Sequence, residues 1–247
     1  MSVLILALIA GAVIGLALGA LGGGGSVLAV PALIYLLGFS PASATTASLI
    51  IVTATSATAL YAHARDGNVA WKVGTLFAAA GIVPAFLAGA AAGYLPAAVL
   101  TGAFSVVAAL AALRMLRPAM SEPPERVRPV KAVGTGVGLG AVTGFLGVGG
   151  GFLAVPALVG VLGLRMKQAV GTSLLVITVN SLAALTARTG TGGDLRWEVI
   201  APFTGAAILG AWDGKRLASK ITGQALQRVF AFVLLAVAAL MLIDVIL

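Results

Sequence analysis

The chain has 247 residues, of which 60% are hydrophobic and only 9% are charged, and its formal net charge is +8. A soluble domain carries about 25% charged residues, so this composition excludes an ordinary soluble protein and indicates an integral membrane protein. With no cysteine and one histidine, the chain lacks the usual ligands of protein-bound zinc or haem, and we expect no metal site and no cofactor.

The basic residues lie in short loops between apolar runs rather than along one stripe. This distribution is typical of membrane-protein loops and not of a nucleic-acid-binding surface. The sequence contains no metalloprotease motif, no nucleophile elbow and no Walker A motif. We therefore predict that the chain is not an enzyme, has no catalytic residues and does not bind nucleic acid.

The apolar runs follow the same order in two halves of the chain. We expect the first run to begin a polytopic bundle rather than to be a cleaved signal peptide, because it has neither a basic n-region nor a cleavage site. In each half the first run is followed by a glycine turn, a short run and three longer runs. The corresponding runs are 3–21 and 132–146, 27–37 and 152–163, 42–62 and 168–187, 73–94 and 199–217, and 97–116 and 225–246.

The two halves also share sequence. The segment LAVPAL begins at Leu28 and again at Leu153, and Ser48 matches Ser173 at the same offset of 125 residues. Between the halves, prolines and mixed charges make a poor helix and a natural boundary. We therefore predict an internal repeat, with a first transmembrane half at residues 1–117, a linker at 118–131 and a second transmembrane half at 132–247.

Loop charges predict how the halves are oriented. With the linker in the cytoplasm, all of the 15 basic residues except Arg188 and Arg196 fall on the cytoplasmic side. Corresponding loops then lie on opposite sides, as in inverted-topology repeats. We expect an all-helical multi-pass protein of the inner (plasma) membrane with both termini outside. It has eight or ten transmembrane segments, depending on whether the first two runs of each half cross fully or form a re-entrant hairpin.

The glycine turns predict an anion site. The short run of each half has 11 or 12 residues, about 17 Å of helix, so its glycine end should lie near the membrane midplane. Irregular backbone at that depth must be buried in protein or line a cavity, and the free N–H groups at the start of a helix attract anions. The predicted turn residues are Gly22, Gly23, Gly24, Gly25 and Ser26 in the first half and Gly147, Gly149, Gly150 and Gly151 in the second.

Hydroxyl and amide side chains follow the turns and are predicted to donate to the same anion. A competing interpretation remains open, since small and hydroxyl residues also form ordinary helix contacts in membranes. The predicted side-chain contacts are Thr45, Thr46, Ser48, Thr172, Ser173 and Asn180.

The carboxylates all fall in loops or near the ends of apolar runs, with Asp213 the nearest candidate for a coupling role, and His63 is interpreted as a solvated or headgroup residue where a run meets a cytoplasmic loop. The sequence therefore offers no obvious proton relay. An inside-negative potential moves an anion outward with about 2.3 kcal/mol per charge per 100 mV, so export needs no coupled ion. This favours export over uptake.

The second glycine turn reads G-x-G-G-G-x-x-x-x-P, from Gly147 to Pro156, and is followed by AVGTS at residues 169–173. In the first half Ser26 replaces the last glycine of the turn, and Thr46-Ala47 stands where the second half has Gly171-Thr172. Over nearly its whole length the chain resembles the sulfite exporter TauE/SafE family of bacterial membrane proteins. The resemblance implies a secondary transporter of small sulfur-containing or organic anions such as sulfite, sulfoacetate or sulfonates.

Two other classes stay open at this stage. An anion channel needs the same pocket, and a structural or sensory membrane protein needs the glycines only for close packing. The partners predicted from the sequence are a small anion and the lipid bilayer, and a second copy of the chain, in a homo-oligomer, is a further candidate.

Overall fold

The computed structural model describes residues 2–92, 97–116, 129–145, 151–187 and 195–246, and every regular element in them is helical. The helices are α1 Ser2–Leu21, α2 Gly24–Pro31 with a π-helical extension Ala32–Leu36, α3 Pro41–Arg65, α4 Trp71–Ala92, α5 Ala97–Leu116, α6 Pro129–Phe145, α7 Gly151–Gly160, α8 Met166–Ala187, α9 Trp197–Lys220 and α10 Gly223–Ile246. The prediction of an all-helical polytopic fold is confirmed.

Four of these helices are long and apolar enough to cross a membrane by length and composition. They contain the segments Val3–Leu21, Ser43–Arg65, Met166–Thr186 and Gly223–Leu240. The helix α2 with its extension covers Gly24 to Leu36, about 20 Å, and α7 has 10 residues, about 15 Å. Each is too short to cross a hydrocarbon core of about 30 Å.

The second helices of the two halves end in the same way. Gly38 and Gly163 adopt positive φ angles of 63° and 69°, which glycine alone adopts without cost. After them, Phe39 N–H donates to Leu33 O at 3.0 Å and Leu164 N–H donates to Leu158 O at 2.9 Å. Since these positions are again 125 residues apart, the repeat extends to local backbone geometry.

Most helices of the first half pack on helices of the second half. Helix α1 packs along α9, and the corresponding α6 packs along α4. The pairs α3–α8, α5–α10 and α2–α7 each join corresponding helices. Each of these contacts therefore has an equivalent when corresponding helices of the two halves are exchanged.

Glycines allow the α1–α9 and α4–α6 pairs to approach closely. A β-carbon at Gly15 would overlap the carbonyl of Ala207 in α9, and one at Gly140 in α6 would overlap the carbonyl of Gly81. Gly11 and Gly136 have the same role at the preceding turn, and both glycine pairs are offset by 125 residues. Backbone contact through small residues is a usual basis of helix association in membranes.

Candidate functional site

The first glycine turn lies against the second half. Helix α1 ends at Leu21 and Gly22, with φ of +70°, reverses the chain into α2. A β-carbon at Gly22 would overlap Ser173 Oγ of α8 and would lie 3.3 Å from Val155 Cγ2 of α7. The start of α2 therefore lies where α7 and α8 meet the first half.

The second turn is partly described. Gly151 begins α7, as the sequence predicts, whereas Gly147, Gly149 and Gly150 lie outside the described residues. In the first half the helix begins at Gly24, so Gly24, Gly25 and Ser26 form the first turn of α2 and Gly23 is its N-cap. Since α2 and α7 pack on each other, both helix starts belong to the interface between the halves.

Two of the predicted serines donate hydrogen bonds to backbone carbonyls of their own helices. Ser48 Oγ donates to Thr45 O at 2.8 Å, and Ser173 Oγ donates to Val170 O at 2.7 Å. Both serines are buried. Because the hydroxyl proton is engaged, each serine offers lone pairs in this arrangement and donates to an anion only after its hydroxyl rotates.

Thr45 and Thr46 lie one turn before Ser48, half-buried and buried respectively. Thr172 has a different environment: its Oγ1 accepts a hydrogen bond from Ala70 N at 3.0 Å. Thr172 therefore ties α8 to the loop that precedes α4. The neighbouring Gly171 leaves room for this loop, since a β-carbon there would overlap the Asn68 carbonyl.

A row of buried polar groups marks the α3–α8 contact. Ser56 Oγ lies 2.9 Å from Thr178 Oγ1 across the two helices. Thr53 Oγ1, Thr55 Oγ1 and Asn180 Oδ1 are buried without a hydrogen-bond partner. An unsatisfied polar group in an apolar interior costs about 1–3 kcal/mol, so three of them near the middle of α3 and α8 point to a ligand or water that supplies the missing bonds.

Of this polar row the sequence interpretation included only Asn180. The sequence does contain a pattern that marks these residues, since TATS at residues 53–56 and TVNS at residues 178–181 are again offset by 125 residues. Each segment is near the middle of its helix, and Thr178 follows Ser173 by about 7.5 Å along α8. In α8 the row therefore begins between one and two helical turns beyond the serine that packs against Gly22. We define the polar row as Thr53, Thr55, Ser56, Thr178, Asn180 and Ser181.

The interpretation of His63 as a solvated residue is wrong. Its side chain is only 4% exposed, and Nε2 lies 3.2 Å from the carbonyl of Gly19 in α1. Because a carbonyl only accepts, Nε2 carries the proton and donates. The side chain is covered by α1, whose Gly19 carbonyl it contacts, and by α8, where Gly171 lets the backbone approach His63, and no single-helix pattern reveals this packing.

An ion pair joins the halves near the same end of α3. Lys215 Nζ of α9 lies 2.7 Å from Asp66 Oδ2 and also donates to the Ala62 carbonyl at 2.7 Å. The hydrogen bond from Lys215 lowers the pKa of the Asp66 carboxyl below its ordinary value. Among the residues that the structure describes, no group of three His, Cys, Asp or Glu side chains comes together to hold a metal ion.

Low pH is expected to weaken the ion pair between Lys215 and Asp66. The folded-state pKa of Asp66 lies below its unfolded value, so the pair stabilises fully above the unfolded pKa and is lost as the pH falls through the folded pKa. In detergent, the Tm of the native chain should therefore fall more between pH 6 and pH 3 than that of Asp66→Asn. Asp213→Asn, which alters the exposed pair with Arg216, is the control, and a pH dependence unchanged in Asp66→Asn would contradict the assignment.

Apolar helices of membrane-spanning length, short second helices that begin at glycines, and a buried uncharged polar row together define a multi-pass helical membrane protein. The family model described as "Sulfite exporter TauE/SafE" matches residues 7–241, so the chain belongs to the sulfite exporter TauE/SafE family.

Relatives support the same assignment. A probable membrane transporter protein of Xylella fastidiosa (strain Temecula1) is 35% identical over 245 residues, which cover 95% of this chain and 93% of the relative. A probable membrane transporter protein of Haemophilus influenzae is 27% identical over 181 residues, 69% of this chain and 67% of the relative. These comparisons confirm the prediction of a membrane transporter rather than an enzyme.

Proposed function

We propose that the protein exports small sulfur-containing or organic anions, such as sulfite, sulfoacetate or sulfonates, across the inner membrane. The observation that carries this proposal is the packing of the Gly22 turn against Ser173, which puts the positive end of α2 at the interface between the halves. The substrate binds there, between the first turns of α2 and α7 and beside the polar row.

The uncharged character of the site suits an anion that must leave again. Backbone N–H groups and hydroxyls stabilise an oxyanion without a fixed positive charge. Rotation of the Ser48 and Ser173 hydroxyls toward the substrate would add two donors. Since binding does not need a side-chain cation, release on the other side does not require breaking an ion pair.

We further infer that the halves are inverted repeats, with the linker in the cytoplasm and both termini outside. The exchanged pairs α1–α9 and α6–α4 and the matching ends of α2 and α7 support a two-fold relation in the membrane plane. Rocking of the halves about the α3–α8 contact then alternates access to the site. The membrane potential drives the anion outward.

A binding and efflux experiment tests the proposal. In detergent, a cognate anion at about 100 times its Kd should stabilise the protein by about 2.7 kcal/mol, a rise in Tm of about 5–10 °C. Proteoliposomes loaded with sulfite, sulfoacetate, thiosulfate or simple carboxylates should show saturable, voltage-stimulated efflux of the stabilising anion. Efflux that rises linearly with concentration would indicate a channel instead, and the absence of stabilisation by every anion would contradict the site.

A further inference from the structure

A large groove opens beside the bundle between α5 and α6. It has a volume of about 1830 Å³ and is closed at the back by α7. The helices α5 and α6 pack on α10 and α4 respectively rather than along each other, which leaves the groove between them. Neither Gly22 nor any residue of the polar row lines the groove, and its contact with the proposed substrate site is through Leu153 in the first turn of α7.

The walls of the groove are apolar along most of their length. Leu110 and Ala111 of α5, Leu139 and Val142 of α6 and Val159 of α7 all line it. Leu110 is 59% exposed and Val142 is 37% exposed, so the groove presents apolar side chains that no helix of the bundle covers. An apolar groove at the membrane-facing side of a helix bundle has room for hydrocarbon chains.

One end of the groove is strongly basic. Arg114 near the end of α5, Lys131 near the start of α6, and Arg165 and Lys167 at the start of α8 line it. All four side chains are exposed, and no Asp or Glu is among the described residues that line the groove. Lys167 Nζ lies 3.4 Å from the Ser219 carbonyl, a long contact that leaves its charge available to an anion.

We propose that this groove binds an anionic phospholipid, with the phosphate at Arg114, Lys131, Arg165 and Lys167 and the acyl chains along α5, α6 and α7. The groove has a basic end and apolar walls, and an anionic phospholipid complements both. A free anion would leave the apolar walls without a partner, and a neutral lipid would leave the four cations without one. Basic pockets between membrane helices on the cytoplasmic side recognise such headgroups. Arg114 and Lys131 lie at the helix ends joined by the linker, and Arg165 and Lys167 lie where α7 connects to α8. Both places are on the side predicted to be cytoplasmic.

The proposal is tested by lipid-dependent thermal stability of the purified, delipidated protein. Phosphatidylglycerol should raise the Tm by about 3 °C or more above the value in equal phosphatidylcholine. Arg114→Gln with Arg165→Gln should abolish this difference. Arg65→Gln with Lys220→Gln removes the same charge at exposed sites outside the groove and should preserve it.

A second variant tests the apolar part without changing the charge. Gly138 lines the groove, and a β-carbon there meets nothing within 4 Å, so Gly138→Phe starts from an unobstructed position and places an aromatic ring in the groove. It should reduce the preference for phosphatidylglycerol while leaving the Tm in phosphatidylcholine unchanged. Equal stabilisation by glycerol phosphate would show a site for a free anion and overturn the proposal, as would an equal loss in the groove and control charge variants. Since no transport is measured, failure here leaves the proposed export untouched.

Discussion

Replacement of Gly15 by leucine is expected to prevent assembly of the folded bundle. A β-carbon at this position would overlap the carbonyl oxygen of Ala207 and lie 2.6 Å from its Cα, so α1 and α9 must separate to admit any side chain. Overpacking costs about 1–3 kcal/mol even where side chains can shift, and here the obstacle is backbone. Against a total stability of about 5–15 kcal/mol, separation of a whole helix pair removes most of the folded population.

The measurement is the monodisperse fraction on gel filtration, together with the Tm in detergent. Gly205→Leu is the matched control, because Gly205 is an exposed residue of the same α9 helix and a β-carbon there meets nothing within 4 Å. Gly140→Leu should match Gly15→Leu, since Gly140 has the corresponding contact with Gly81 in the α4–α6 pair. A wild-type Tm in Gly15→Leu would show that the α1–α9 contact is looser than the structure indicates.

The positions of the helices can be predicted from the sequence, whereas the contacts of these glycines cannot. The helical runs were predictable because apolar length is a local property, and α3, predicted at residues 42–62, spans Pro41–Arg65. The linker was placed to residue 131, but α6 begins at Pro129, where proline is suited to the first helical turn. The periodic match of Gly11 and Gly15 to Gly136 and Gly140 was present in the sequence. It did not indicate which helix each glycine contacts.

The candidate site was predictable only in part for the same reason. The glycine turn at residues 22–26 could be found because four consecutive glycines in an apolar chain need an explanation. The sequence does not distinguish the polar row from ordinary hydroxyl residues, because the burial of Thr55 Oγ1 and Asn180 Oδ1 without partners depends on tertiary packing. His63 was misjudged because its burial comes from α1 and α8, which are distant in sequence.

A double substitution in the polar row, Thr55→Val with Asn180→Leu, is expected to lower anion transport at least tenfold. A hydrogen bond to a charged group contributes about 1.5–3 kcal/mol, and loss of one such bond corresponds to about a 10- to 100-fold lower affinity. The effect on stability should have the opposite sign. Both atoms are buried without partners, so their replacement by apolar groups removes a desolvation cost and should leave the Tm unchanged or raise it.

A loss of transport without a loss of stability distinguishes a ligand site from a packing contact. Thr75→Val is the control, since Thr75 is exposed on α4 and its Oγ1 bonds to the Trp71 carbonyl at 2.8 Å. Efflux from proteoliposomes and the Tm in detergent should both be measured on each variant. If the double variant transports normally, the polar row does not contact the substrate. If it loses transport together with stability, the row holds α3 and α8 together. Only loss of transport in a protein at least as stable as the native chain fits groups whose missing partners are supplied by the transported anion.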